Sequence, residues 1–132
     1  MSSNCSFHES IQKIREFLND PFDGVEKTER FLNSLEKPSS LYAQRQYKFW
    51  EAVCAFGQNQ VDKVKTIFSA MVNDGDPDNV YVTHAYPFTA TIAGEMQDAS
   101  ERGFEHTAER LNDLWKHVHT NRKDFPSKKT LL

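Results

Sequence analysis

Cysteine, glycine and proline are scarce in this chain. Its 132 residues include two cysteines, five glycines and five prolines. Two cysteines exclude a scaffold held by several disulfides, and low cysteine use is typical of a reducing compartment. No apolar run approaches the roughly 18 residues of a membrane span, and the start, MSSNCSFHES, lacks the basic flank and apolar core of a signal peptide. We therefore expect a cytoplasmic protein with no membrane contact.

An excess of charge of one sign is also missing. The chain has 16 Lys and Arg against 19 Asp and Glu, a formal net charge of −3. This balance gives no broad attraction to nucleic acid, so we expect no nucleic-acid partner. Glycine-rich phosphate loops, nucleophile elbows, His-x-x-x-His pairs and Glu-x-x-His pairs do not occur. We expect no metal and no cofactor, and the sequence favours a protein that is not an enzyme.

Aromatic residues, in contrast, are frequent. Ten Phe, four Tyr and two Trp make up 12% of the chain, and such side chains bury much area each, which predicts a folded domain. Apolar residues recur at helical spacing along almost the whole chain. We predict one all-α domain over residues 1–120 and a flexible basic tail over 121–132. Its helices should form three antiparallel hairpins and span 6–19, 24–37, 40–57, 60–72, a fifth segment ending near 102, and 103–120.

Local signals set several of these boundaries. Ser6, Asp23 and either Ser39 or Ser40 stand where helix N-caps are expected. The start of the fifth helix has two readings. Val80–Val82 favour a strand by propensity, but no second strand is available to pair with it, so a helix is preferred. Pro87 then either opens that helix or kinks a longer one.

Three segments of the chain have similar sequences. GVEKTERFLNSL at 24–35 and GFEHTAERLNDL at 103–114 share six of twelve residues, and QVDKVKTIFSAM at 60–71 keeps the apolar pattern. Each copy is preceded by another predicted helix. Repeats at this period indicate stacked hairpins. An irregular helical bundle remains the alternative, because amphipathic helices share such spacing by necessity.

The copies resemble the tetratricopeptide repeat. NQVDKVKTIFSAMVNDGDP at 59–77 fits that family best, with Asn59 at the turn, Val64 and Phe68 within the second helix, and Pro77 near the close. Thr28, Val64 and Thr107 stand where the family has a small residue, and the family's first-helix signature is missing. The resemblance implies a stack of helix pairs over residues 7–118.

The third predicted helix is unusually apolar. Such a helix either lies at the centre of the core or presents a contact face. Helix pairs present side chains in rows, and aromatic and basic residues anchor interfaces. We expect a protein–protein interaction module that binds a protein or a peptide segment and acts as an adaptor, chaperone or neutralising partner. A homodimer formed through the third helix is an additional expectation. The candidate partner-binding residues are Arg45, Tyr47, Lys48, Trp50, Tyr81, His84 and Tyr86.

Two sites for other chemistry are weighed against this interpretation. His84 with Tyr86 lies at a predicted break in the chain, where a small enzyme or small-ligand binder would have its site. The aspartates of DGDPDN, at 74–79, have partial metal-ligand spacing, but no glutamate closes the loop as calcium sites of the EF-hand type require. A solvated turn is the preferred reading of that loop.

Overall fold

A computed structural model of the chain describes residues 6–79, 81 and 87–125. These residues contain six α-helices and one short 3₁₀-helix, with no β-strand among them, so the predicted all-α fold is confirmed. The α-helices are α1 (Phe7–Phe17), α2 (Gly24–Ser34), α3 (Leu41–Gly57), α4 (Val61–Val72), α5 (Pro87–Glu101) and α6 (Glu105–Thr120). No helix in the described part of the chain has both the length and the apolar character to cross a bilayer.

Two helices begin at the serines that the sequence indicates. The Ser6 hydroxyl accepts a hydrogen bond from the Glu9 N–H at 3.1 Å, and the Ser40 hydroxyl accepts one from the Ala43 N–H at 3.2 Å. These side chains satisfy backbone donors that have no partner within the first turn. Asp23 occupies the N-cap position of α2 as predicted, but its side chain makes no capping hydrogen bond.

Asp20 orders the turn that precedes α2. Its Oδ1 accepts hydrogen bonds from the N–H groups of Phe22 and Asp23, at 2.9 and 3.2 Å. A carboxylate bound to the backbone two and three residues ahead fixes a tight turn. The turn between α1 and α2 is therefore ordered by Asp20 and not by the residue next to the helix.

The hairpins α3–α4 and α5–α6 are joined by turns of one kind. Asn59 and Gly103 both have a positive φ, of 62° and 79°. The N–H of the next residue, Gln60 or Phe104, returns to a carbonyl five residues earlier, at 2.9 Å in both turns. This is the Schellman arrangement, which ends a helix and reverses the chain.

The three hairpins close on one another. Pairing is most extensive within α5–α6 and α3–α4, and α1 also packs on α2. The first hairpin also contacts the third, since Thr107 Oγ1 donates to the Arg15 carbonyl at 2.7 Å and Arg110 Nε donates to the Leu18 carbonyl at 2.9 Å. In an open solenoid each unit contacts only its sequence neighbours. These contacts give a closed helical bundle.

Helix α3 lies at the centre of the bundle. It buries a continuous set of side chains: Phe49, Trp50, Ala52, Val53, Cys54 and Ala55. The prediction that this helix lies in the core is therefore confirmed for its middle and C-terminal part. The core also extends past α6, because Phe125 is buried against Phe68. Phe125 lies five residues beyond the predicted end of the domain, so its ring belongs to the packed structure and not to a tail.

Candidate functional site

Three of the predicted partner-binding residues lie inside the protein. Arg45, Trp50 and Tyr81 are 6%, 0% and 3% exposed. A side chain with so little exposed area cannot anchor a partner without refolding of its surroundings. The structure therefore removes these three residues from the predicted contact surface. His84 and Tyr86 lie outside the described residues, so the predictions for them stay predictions.

Arg45 is buried because it binds the loop after α4. Its Nη2 is 2.8 Å from Asp76 Oδ2, and its Nη1 is 3.5 Å from Asp74 Oδ2. Both carboxylates come from the segment that was interpreted as a solvated turn. A charged side chain is tolerated in the interior when opposite charges pair with it. Within the described residues, no group of three His, Cys, Asp or Glu is placed to hold a metal ion.

Trp50 and Tyr81 belong to aromatic clusters in the core. Trp50 packs edge-on against Phe49, with ring centroids 5.0 Å apart. Tyr81 stacks on Phe88 at 5.0 Å, and Phe88 stacks on Phe68 at 4.1 Å. Burial raises the pKa of the Tyr81 hydroxyl above its ordinary value. These rings stabilise the fold and are not available to a ligand in this conformation.

Tyr47 and Lys48 lie on a pocket between the end of α2 and the N-terminal half of α3. We call it the α2–α3 pocket; its volume is about 250 Å³ and it is lined by Leu32, Leu35, Glu36, Lys37, Pro38, Gln44, Tyr47, Lys48 and Glu51. Gln44 Nε2 donates a hydrogen bond to the Pro38 carbonyl at 2.9 Å. This bond holds the chain that leaves α2 against α3, and so fixes one wall of the pocket.

An exposed aromatic patch adjoins the pocket. Tyr42 is 61% exposed and Leu41 is 36% exposed, both in the first turn of α3. The Phe7 ring lies between two tyrosines, 6.1 Å from Tyr42 and 5.5 Å from Tyr47. We call Phe7, Leu41 and Tyr42 the Tyr42 patch. Tyr47 also lines the pocket, so the Phe7 ring contacts both the patch residue Tyr42 and one residue at the edge of the pocket.

The α2–α3 pocket has a mixed lining. Leucine, proline and tyrosine side chains line it together with Glu36, Lys37, Lys48 and Glu51. Within the described part of the chain, none of these four charges forms an ion pair. No histidine or cysteine lines the pocket. Apolar side chains next to charged ones are common on protein-binding surfaces.

A second cavity, of about 650 Å³, lies between α5 and the end of α6 and is lined by Thr89, Ala90, Trp115, His119 and Arg122. The rings of Trp115 and His119 stack there with centroids 4.7 Å apart. A third, of about 250 Å³, is formed around Phe56, Arg110 and Asp113. Neither contains a residue from the predicted set.

The pocket wall from α2 was not recognised in the sequence. Leu32 and Leu35 recur at helical spacing, and Pro38 is a helix stop signal. A proline stop signal that follows two leucines and precedes a helix with aromatic residues at its start is the pattern that would have indicated the pocket wall. No protein-family model, curated protein or solved structure matches this chain. The resemblance to tetratricopeptide repeats therefore stays a prediction.

Proposed function

We propose that the protein is an interaction module of the cytoplasm that binds a segment of another protein across the α2–α3 pocket and the Tyr42 patch. The observation that carries this proposal is that the half-buried Phe7 ring contacts both exposed Tyr42 and Tyr47, and that Tyr47 lines the pocket. In this role the protein would act as an adaptor, a chaperone or a neutralising partner.

The energetic argument rests on exposed apolar area. A large apolar side chain that is removed from water on binding contributes roughly 1.5–3 kcal/mol. Tyr42 and Leu41 retain area to lose, and the pocket offers a concave site beside them. Tyrosine is also rigid, so ordering it on binding loses little conformational entropy. The surface therefore favours an apolar anchor from a protein over a polar metabolite.

The size of the pocket supports the same class of ligand. Pockets for drug-sized molecules are roughly 300–1,000 Å³, whereas the α2–α3 pocket is about 250 Å³. A volume in this range suits one or two side chains of a longer segment. The remaining affinity must then come from contacts on the neighbouring Tyr42 patch, which a peptide or protein reaches and a small metabolite does not.

The proposal is tested by affinity capture from the native cell with three matched variants. Leu35→Asp puts a charge into the pocket, and Tyr42→Ser removes the exposed ring from the patch. Phe22→Ser is the control, because Phe22 is a still more exposed ring, 90% exposed, on the turn at the other end of α1. All three variants should first show the circular dichroism and melting temperature of the folded protein.

We expect a captured protein that is retained by the wild type and by Phe22→Ser and is lost or reduced at least tenfold with Leu35→Asp and Tyr42→Ser. If the same proteins are captured by all four chains, the pocket and the patch are not the binding surface. If only a metabolite or a metal is retained, the protein is not an interaction module of this kind.

A further inference from the structure

The cavity of about 650 Å³ between the first turn of α5 and the end of α6 has no acidic residue in its lining, which consists of Thr89, Ala90, Trp115, His119 and Arg122. We call it the Trp115 cavity. Neither His119 nor Arg122 forms an ion pair with any of the described residues. The charge that this cavity presents to a ligand is therefore positive.

One wall of the Trp115 cavity is a row of three side chains from α6 and the 3₁₀-helix that follows it. Trp115 and His119 are four residues apart and so lie on one face of α6, where their rings stack with centroids 4.7 Å apart. Arg122 comes next in the row, and its Nη1 donates a hydrogen bond to the His119 carbonyl at 3.0 Å. The ring stack and this bond hold the imidazole and the guanidinium beside the indole ring.

The opposite wall is small and uncharged. It consists of Thr89 and Ala90, and the first turn of α5 contains no acidic residue. Ala90 is exposed, and Trp115 is only partly buried against the core. Apolar area of an alanine and an indole ring is thus left open in the cavity, and a ligand that covers this area removes it from water.

The acidic residues nearest in sequence do not neutralise this charge. Asp113 lines the separate cavity around Phe56 and Arg110. Asp124 is exposed, its N–H donates to the Asn121 carbonyl at 2.8 Å, and it does not line the Trp115 cavity. The Arg122 guanidinium therefore has N–H groups to offer to an incoming acceptor. Its planar fork matches a carboxylate, which accepts two parallel hydrogen bonds from it.

We propose that the Trp115 cavity binds an acidic segment of a partner protein, with an apolar side chain of that segment against Ala90 and Trp115 and a neighbouring carboxylate on Arg122. Charge complementarity carries this inference, because the lining combines open apolar area with positive charge and no carboxylate. None of the residues involved lines the α2–α3 pocket. The inference therefore goes beyond the proposed function and does not depend on it.

A single-stranded nucleic acid also combines rings with negative charge, but the observations favour a peptide. The chain has a formal net charge of −3, which repels a long polyanion, whereas a short acidic segment needs only local pairing. One face of the Trp115 ring is already covered by His119. Single strands also require a positively charged groove that follows their backbone, and the lining of this cavity contains only one arginine and one histidine.

The two tryptophans of the chain provide a built-in test by NMR, because Trp115 lines the cavity whereas Trp50 is 0% exposed. The probe is a synthetic peptide with one phenylalanine between two pairs of glutamates, added to the nitrogen-labelled full chain. We expect the peptide to shift the indole N–H signal of Trp115 and to leave that of Trp50 in place. The Trp115→Phe variant assigns the two signals.

Matched variants then locate the binding. Arg122→Glu should weaken the binding of the peptide at least tenfold, and Ala90→Phe, which fills the cavity without changing the charge, should do the same. Arg30→Glu makes an equal change in net charge on α2, where Arg30 is exposed and has no ion pair among the described residues, and it should bind as the wild type does. A peptide with serine in place of phenylalanine should also bind at least tenfold more weakly.

A peptide that leaves the Trp115 signal in place overturns the inference, and so does equal binding by the wild type and by a folded Arg122→Glu or Ala90→Phe variant. Equal binding of a peptide with lysines in place of the glutamates overturns it as well, since charge would then not be recognised. Tighter binding of single-stranded oligothymidylate would show a nucleic-acid site instead. Peptide binding that is lost with Arg122→Glu and kept with Leu35→Asp supports the inference, whatever the result for the α2–α3 pocket.

Discussion

Arg15 and Glu95, eighty residues apart in the chain, form a two-pronged ion pair. Arg15 Nε donates to Glu95 Oε1 at 3.0 Å, and Nη2 donates to Oε2 at 2.9 Å. The pair joins α1 to α5, and therefore joins the first hairpin to the third. The guanidinium also lies 6.0 Å from the centre of the Trp50 ring. This relationship closes the bundle around α3.

Replacing Glu95 by alanine should lower the free energy of unfolding by about 1.5–3 kcal/mol, the range for a hydrogen bond to a charged group. Both side chains are largely buried, at 14% and 17% exposed, so water compensates poorly for the loss. Urea denaturation measures the change. Arg102→Ala is the control, because its ion pair with Asp98 is exposed and should contribute less than about 1 kcal/mol. Equal losses in both variants would show that the Arg15–Glu95 pair does not close the bundle.

Replacing Arg45 by methionine should destabilise the protein by about 3–5 kcal/mol, because it leaves the carboxylates of Asp74 and Asp76 without their cation. Lys48→Met, three residues further along α3, makes the same kind of change where no ion pair is lost and should stay within about 0.5 kcal/mol. Thermal unfolding of both variants provides the comparison. A small effect of Arg45→Met would mean that the 73–79 loop does not depend on this network.

Cys54 should be chemically inert in the folded protein. Burial raises the pKa of its thiol to about 12 from an ordinary value of 9.0. The neutral thiol is thus retained in the fold at pH values where the unfolded chain ionises, and this contribution to stability is present below pH 9 and lost as the pH rises toward 12. In a Cys5→Ser variant, iodoacetamide at pH 8 should label Cys54 only after denaturant is added. Fast labelling without denaturant would contradict the burial.

The Asp20 turn should weaken in acid. Hydrogen bonds from Lys27 and from the N–H groups of Phe22 and Asp23 lower the pKa of Asp20 to about 2, from an ordinary value of 3.8. Because the folded pKa is the lower one, the stabilisation is present above about pH 4 and is lost as the pH falls toward 2. A carbon-detected NMR titration of the Asp20 carboxyl should show a midpoint near 2. Lys27→Met should move that midpoint upward, and an unchanged midpoint would argue against the ion pair.

Helices and caps were predictable because they depend on local sequence. Apolar spacing gave five of the helix starts to within two residues, and Ser6 and Ser40 cap where expected. Burial within α3 was harder to predict, because long charged and aromatic side chains occur in cores and on surfaces alike. One available signal was spacing: Arg45, Phe49 and Ala52 fall on one face of a helix, and all three are buried.

The pocket could not be predicted because it depends on where α2 ends. The helix was expected to reach residue 37 but ends at Ser34, and Leu35 has extended backbone with φ −83° and ψ 143°. The following residues therefore turn aside and form a wall facing α3. Their course is set by tertiary contacts, such as the bond from Gln44 to the Pro38 carbonyl, which no local pattern contains.

The repeated segment shows a related difficulty. Thr28, Val64 and Thr107 occupy the same place in the three copies, and all are fully buried. The glycines at the start of two copies, however, are required for different structural reasons. A Cβ at Gly24 would lie 2.6 Å from the Phe17 carbonyl oxygen, whereas Gly103 has open space and a positive φ of 79°. The identical residues in these segments therefore reflect a similar buried helix face. Both a repeat and an irregular bundle require such a face.

Site-specific photo-crosslinking inside the native cell tests most directly whether the α2–α3 pocket binds a protein. A photoreactive phenylalanine derivative replaces Lys48 at the pocket, and the same derivative replaces exposed Lys116 on α6 as the control. We expect light-dependent adducts of defined mass from position 48 that Leu35→Asp abolishes, and none of these adducts from position 116. Adducts that are the same at both positions, or that persist with Leu35→Asp, would contradict binding in the pocket.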